Sequence, residues 1–198
     1  EPAVYLSMQG IKVDLSKKEE IAKKLIKSSD ESYAAFQVRL KVKYGITEEV
    51  NLLSPKQLGN LLYSVMGFTT QYKRGTDSVT VDSKTLDRLF RSTGNIILRD
   101  IMDYKKGRKL LQFCEMKLSE TSRAYTSFNI VGTIYGRWSS STNIVMQYGT
   151  GNLQQIPKRG AGLLIREMYV VSEPDKFIIE ADFSQAEAVI VAYLIGDE

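Results

Sequence analysis

The sequence predicts an α+β fold, mainly helical through residue 130 and strand-bearing from Ala124 onward. Apolar residues recur at helical spacing behind capping signals between Ser16 and Leu118. Aromatic and β-branched residues alternate from Tyr125, which is strand texture. An apolar run at 177–181 then leads straight into Asp182 and a second apolar segment of helical length.

The elements follow in order. Ser16-Lys17-Lys18-Glu19 has the form of a capping box, in which a hydroxyl and a carboxylate three residues apart satisfy each other's free N–H groups. Behind it Ala22, Leu25, Ile26, Ser29, Tyr33, Phe36 and Leu40 form one apolar or small-residue stripe among Lys and Glu. Ser54-Pro55-Lys56-Gln57 starts a second helix, with Pro in the first turn where its missing donor costs nothing. Leu58, Leu61, Leu62 and Val65 supply its buried face, and Gly67 its stop. Residues 71–81 are polar, hold Lys73-Arg74-Gly75 and show no period, so a surface loop is expected. A short third helix runs from Ser83 through Leu86, Leu89 and Phe90.

A longer helix is predicted over 97–118, interrupted at Gly107. It holds Arg99, Lys105, Lys106, Arg108, Lys109 and Lys117 against Asp100, Asp103 and Glu115. Such a face either grips phosphates, each cation releasing a counterion, or is an ordinary wet helix face. Strands are expected at 125–130, 164–170 and 177–181. Between the first two lies 136–162, a long irregular segment rich in Gly, Ser, Thr, Asn and Gln, and long ordered loops in compact domains are usually functional.

Composition narrows the chemistry. With 198 residues, 43% apolar and 25% charged, the chain fits one ordinary domain or two small ones and excludes a disordered tail or a disulfide scaffold. There is no His, which removes the commonest general base and transition-metal ligand. The one cysteine, Cys114, cannot form an internal disulfide, and a reducing compartment is expected. The longest apolar run, 188–195, is far too short to span a membrane. A start at Glu1 rather than Met is the expectation for an excerpt or a processed product. Residues 1–130 hold 22 Lys and Arg against 15 Asp and Glu, a balance of +7, whereas 131–198 hold 5 against 8, a balance of −3. After Lys176 only acids follow: Glu180, Asp182, Glu187, Asp197 and Glu198. This asymmetry is either two differently solvated surfaces or a polyanion-binding body joined to a cation-binding end.

Asp182 is the sharpest local feature. The sequence predicts a buried strand running into it and a helix starting at once, with Ser184 as cap and Glu187 at capping-box spacing. An Asp at a strand tip among acids is placed to hold a hard divalent cation such as Mg²⁺, which takes one or two carboxylates plus substrate phosphate. The plainer alternative is a strand end and a helix cap.

Wider context bears on that choice. Residues 180–198, EADFSQAEAVIVAYLIGDE, resemble the first palm motif of the family A, DNA polymerase I-like enzymes, a pattern close to D-Y-S-Q-I-E-L-R followed by an apolar helix and an acidic pair. Tyr135-Gly136-Arg137-Trp138-Ser139-Ser140-Ser141 resembles the family's T-G-R-L-S-S-S, and Asn152-Leu153-Gln154-Gln155-Ile156-Pro157-Lys158-Arg159 its N-L-Q-N-I-P-x-R. Gly10-Ile11-Lys12-Val13-Asp14, Ser54-Pro55-Lys56-Gln57-Leu58 and Tyr125-Thr126-Ser127-Phe128-Asn129 recur in the family's order, so six strings in register cover essentially the whole chain.

The resemblance implies a template-directed DNA polymerase, with residues 1–118 a thumb-like helical region and 119–198 the first antiparallel strands and motif A helix of the palm. It implies two Mg²⁺ ions in the complete active site, with Asp182 as catalytic ligand to both and the Phe183 carbonyl as a further ligand. Glu187, with Ser184 and Gln185 beside it, would form the sugar gate that crowds the 2′ position. Arg137 would reach the minor groove at the primer terminus, whose acceptors occur on every base pair. Asn152, Gln154 and Arg159 would line the primer–template or the nucleotide entrance, and Lys105, Lys106, Arg108 and Lys109 would hold the duplex backbone. The implied partners are primer–template DNA and deoxynucleoside triphosphates, in the cytoplasm of a bacterial or phage-infected cell.

The chain also departs from the pattern. Phe183 replaces the usual Tyr, Val189 an Arg and Tyr135 a Thr, and residues 142–151 are longer than the family's usual spacer. The sequence stops before the fingers helix and before the later His-Asp-Glu motif with the second catalytic Asp. The expectation is a fragment that is inactive alone and is completed by the remaining C-terminal segment, in cis or as a separate chain. The alternative is a non-catalytic DNA-binding fragment or subunit that uses the basic helix alone. A single-subunit RNA polymerase relative fits less well, because Glu187 beside the 2′ position would reject ribonucleotides.

Overall fold

The computed structural model describes residues 2–142, 152–173, 175–179 and 182–196. Nearly all of the extra segment 142–151, together with Glu180, Ala181, Asp197 and Glu198, lies outside them. The observed class is helices with small antiparallel sheets, in agreement with the expected α+β class.

A short helix α1 (Pro2–Gln9) and strand β1 (Ile11–Val13) precede the dominant element, α2 (Leu15–Tyr44). Its 30 residues make it about 45 Å long. The cap is Asp14 rather than Ser16: the helix starts earlier than the capping-box pattern indicates, and Asp14 Oδ1 accepts from Lys17 N at 3.0 Å. The buried stripe is Ile21, Leu25, Ser29, Phe36 and Leu40, while Ile26 faces solvent. Helix α3 (Pro55–Gly59), capped by Ser54 as expected, continues as a π-helical turn over Asn60–Val65. Leu58, Leu61 and Leu62 are buried, but Val65 is exposed. The 71–81 loop folds into a small turn bridged at Tyr72 and Val79.

Helix α4 (Ser83–Thr93) is capped by Asp82, whose carboxylate accepts from Thr85 N at 2.7 Å and is thereby held below the usual carboxylate pKa. Because the folded-state pKa is depressed, this contribution is present above the unfolded value and is lost as pH falls through the folded one. Asp82→Ala is therefore expected to cost about 1 kcal/mol at pH 7. In urea melts the gap between wild type and variant should close in acid, and a gap that widened in acid would refute the assignment.

Helix α5 (Ile96–Cys114) runs antiparallel to α2, with Ser29 beside Gly107 and Arg39 paired with Asp100. Gly107 does not interrupt it. A Cβ built there would lie 2.2 Å from Ser29 Oγ, so glycine is what lets the two helices approach. This contact separates two apolar clusters along the pair. One joins Phe36 and Leu40 to Leu62, Leu86, Leu98 and Ile101, and the other joins Ile21 and Leu25 to Leu110, Leu111, Ile165 and Met168.

The second cluster is floored by a three-stranded antiparallel sheet with β1 at its centre, flanked by β2 (Arg123–Ala124) and β5 (Tyr169–Val170). Strands β3 (Thr126–Asn129) and β4 (Ser139–Thr142) form a separate hairpin, packed on α1 through Phe128 N donating to Ser7 Oγ at 3.0 Å.

Two strand expectations are corrected. Most of 164–170 is not strand: α6 (Gly162–Arg166) occupies its first part, and only Tyr169–Val170 pair. Ile165 and Met168, three residues apart, both point into the core, which is a helical-turn spacing. Residues 177–179 form no strand and are exposed, Phe177 by 78%: Phe177 and Ile178 border a groove beside β1 and β5 without pairing to either. The predicted apolar helix is present as α7 (Ala186–Ile195), but it is not buried. Tyr193 is 83% exposed and Leu194 75%, because neither apolar cluster reaches this helix. No described helix is long and apolar enough to cross a membrane.

Candidate active site and nucleic-acid interface

The basic face of α5 opens as a groove of ≈ 460 Å³ lined by Lys105, Lys106, Arg108 and Lys109 over Leu53, Leu86 and Met102. The four cations are not equivalent. Lys105 is half-buried, its Nζ lies 3.5 Å from the Leu52 carbonyl, and burial lowers its pKa. Lys106 and Lys109 are exposed and Arg108 is partly so. None of these three has an ion pair with a described residue, leaving three cations free to meet phosphates. A Cβ built at Gly160 would lie 3.8 Å from Lys106 Nζ, so the groove abuts the segment that holds the exposed Arg159.

The β3–β4 hairpin places Arg137 on the loop that joins its strands. Arg137 is 70% exposed along its side chain, and its guanidinium pairs with the carboxylate of Glu187, itself 81% exposed, on the first turn of α7. Two residues fifty positions apart, both expected at the site, are thus brought together. Glu187 does not close a capping box. The N-cap of α7 is Gln185, in a left-handed conformation with φ 51°, and no side chain caps the helix. Ser184 is one residue too early to cap it, and both Ser184 and Gln185 are exposed.

Asp182 is exposed and makes no hydrogen bond or ion pair with a described residue, and the Phe183 ring beside it is 88% exposed. Among the described residues no group of three acidic, Cys or His side chains could hold a metal ion. One free carboxylate with an adjacent backbone carbonyl fits part of a Mg²⁺ shell, the remainder being water, phosphate or further carboxylates.

Asn152 and Gln154 share one polar knot. Asn152 Oδ1 accepts from Gln154 N at 3.0 Å, capping the short turn Leu153–Gln155, and also from the Ser140 hydroxyl on β4. Gln154 Nε2 reaches the Trp138 carbonyl at 3.5 Å, which brings this turn against the Arg137 loop. Ser140 was legible only as part of a serine run, and its burial singles it out.

The family model for DNA polymerase family A matches residues 19–198. DNA polymerase I of Mycobacterium tuberculosis is 34% identical over 78% of this chain and 17% of its own length. That of Caldicellulosiruptor bescii is 31% identical over 100% of this chain and 22% of its own length. A solved structure, the POL domain of Pol1 from M. smegmatis in complex with DNA primer-template and dNTP, matches with a TM-score of 0.76 and 27% identity over 97% of this chain and 32% of that one. The chain therefore spans about a fifth of the length of the curated relatives it matches.

Proposed function

This chain belongs to DNA polymerase family A, and from that premise we propose that it forms the thumb (1–118) and the first part of the palm (119–198) of a template-directed DNA polymerase. The observation that carries the proposal is the likeness over 97% of the chain to a POL domain that holds primer-template DNA and dNTP. The free cations of α5 and the Arg137–Glu187 pair support it.

In the proposed mechanism Lys106, Arg108 and Lys109 neutralise phosphates and seat the duplex without reading its sequence. Arg137 donates to minor-groove acceptors at the primer terminus, where correct pairing geometry places an acceptor on either base. Asn152, Gln154 and Arg159 border the duplex or the incoming nucleotide. Glu187 crowds the 2′ position of the sugar, with Ser184 and Gln185 beside it and the Phe183 ring against the sugar face. Asp182 and the Phe183 carbonyl would hold Mg²⁺, two ions in the complete site. When bound, these supply the charge that favours the primer 3′-oxyanion and the leaving pyrophosphate. Asp182 supplies one carboxylate of this shell, and the proposal assigns the second to the remaining palm.

Primer extension tests this. The 198-residue chain alone is expected to add no nucleotides, and addition of a family A segment carrying the fingers and remaining palm should restore extension. Robust incorporation by the chain alone would contradict the division of the site. Duplex binding with no extension in any combination would favour the alternative, a non-catalytic DNA-binding subunit.

A further inference from the structure

We propose that Thr133 is a positioning residue for Arg137, fixing the direction in which the guanidinium leaves the β3–β4 loop. The inference rests on the reading of Arg137 as the primer-terminus contact. The loop between the two strands opens with Val131 N donating to Asn129 Oδ1 at 3.0 Å. Its base is closed by the rings of Phe128 and Trp138, whose centroids are 6.3 Å apart. Within residues 129–138 every side chain is exposed except that of Thr133.

The Thr133 hydroxyl meets Arg137 twice. It accepts from Arg137 N at 2.9 Å and donates to the Arg137 carbonyl at 2.9 Å. One oxygen thus ties down both peptide groups that flank the Arg137 Cα. A third bond, Gly136 N to the Thr133 carbonyl at 3.2 Å, completes the turn. On the far side Gly132 has no room for a side chain, because a Cβ there would fall 1.8 Å from Ser139 Oγ. With its Cα so held, Arg137 projects toward α7 and pairs with Glu187. A long flexible side chain on an exposed loop otherwise has many directions open to it, and the cost of ordering it falls on binding. The hydroxyl of Thr133 is suited to lower that cost.

The test compares binding of the chain to two primer–templates by fluorescence anisotropy, one ending in guanine at the primer 3′ position and one in 3-deazaguanine, which lacks the minor-groove N3 acceptor. Wild type should prefer the guanine terminus by about tenfold, the scale of one charge-assisted hydrogen bond. Arg137→Ala should abolish the preference. Thr133→Val, which keeps the shape and removes the hydroxyl, should lose most of it, and Thr133→Ser should retain it. The double variant Thr133→Val/Arg137→Ala should be no worse than Arg137→Ala alone. A full preference in Thr133→Val, with loss in Arg137→Ala, overturns the positioning role alone. No preference in wild type, or none lost in Arg137→Ala, overturns the minor-groove reading and the proposal with it.

Discussion

Gly107→Leu is expected to destabilise the chain by about 3 kcal/mol, the upper part of the range for overpacking a core. In a domain of this size that lowers the melting temperature by roughly 6–12 °C. The reason is local. A Cβ at position 107 would sit 2.2 Å from Ser29 Oγ, and the contact lies on the α2–α5 interface between the two apolar clusters. Moving the helices apart would loosen both. A finer test uses alanine. In an ordinary helix Gly→Ala gains about 1 kcal/mol, so Gly107→Ala should be destabilising here only because of Ser29. Ser29 Oγ is buried without a hydrogen-bond partner among the described residues, so Ser29→Ala should cost little. With Oγ gone, the nearest side-chain atom is Ser29 Cβ at 3.5 Å, an ordinary contact. Gly107→Ala should then turn stabilising in the Ser29→Ala background. Denaturant melts of the four chains measure this reversal, and additive effects would refute the close-approach account.

Asp182→Ala should behave in the opposite way, leaving stability within about 0.5 kcal/mol of wild type because the residue is exposed and has no hydrogen bond or ion pair with a described residue. In the completed polymerase proposed above, it should reduce the rate of nucleotide addition by about 10³-fold or more. Loss of one preorganised electrostatic contact already costs about 10²–10³. Primer–template affinity should hardly change. A rate within tenfold of wild type would remove Asp182 from the proposed metal shell.

Much of the helical region was legible in the sequence, because the period of α2 and the caps at Ser54 and near Ser83 are local signals. What failed depended on neighbours. Gly107 reads as a breaker on its own helix, and only Ser29, far away in sequence, explains it. The run at 164–170 is apolar enough for strand or helix, and core packing decides for a helical turn. The apolar texture of α7 correctly indicated a helix, but burial is a property of its partners, and neither apolar cluster reaches it. The motif strings singled out both Arg137 and Glu187, yet not their ion pair, since neither residue carries a sign of the other. Thr133 left no sequence signal at all: its role lies in two hydrogen bonds to backbone, which any residue offers.

The central proposal, that this chain grips duplex DNA through the three α5 cations that have no ion pair with a described residue, is tested most directly by the salt dependence of duplex binding. Each phosphate contact contributes about −0.9 to the slope of log K against log salt. Replacing Lys106, Arg108 and Lys109 together by Gln should therefore make the slope shallower by about 2.7, while Asp182→Ala leaves it unchanged. A slope that stays within about 0.5 of wild type in the triple variant would contradict the account.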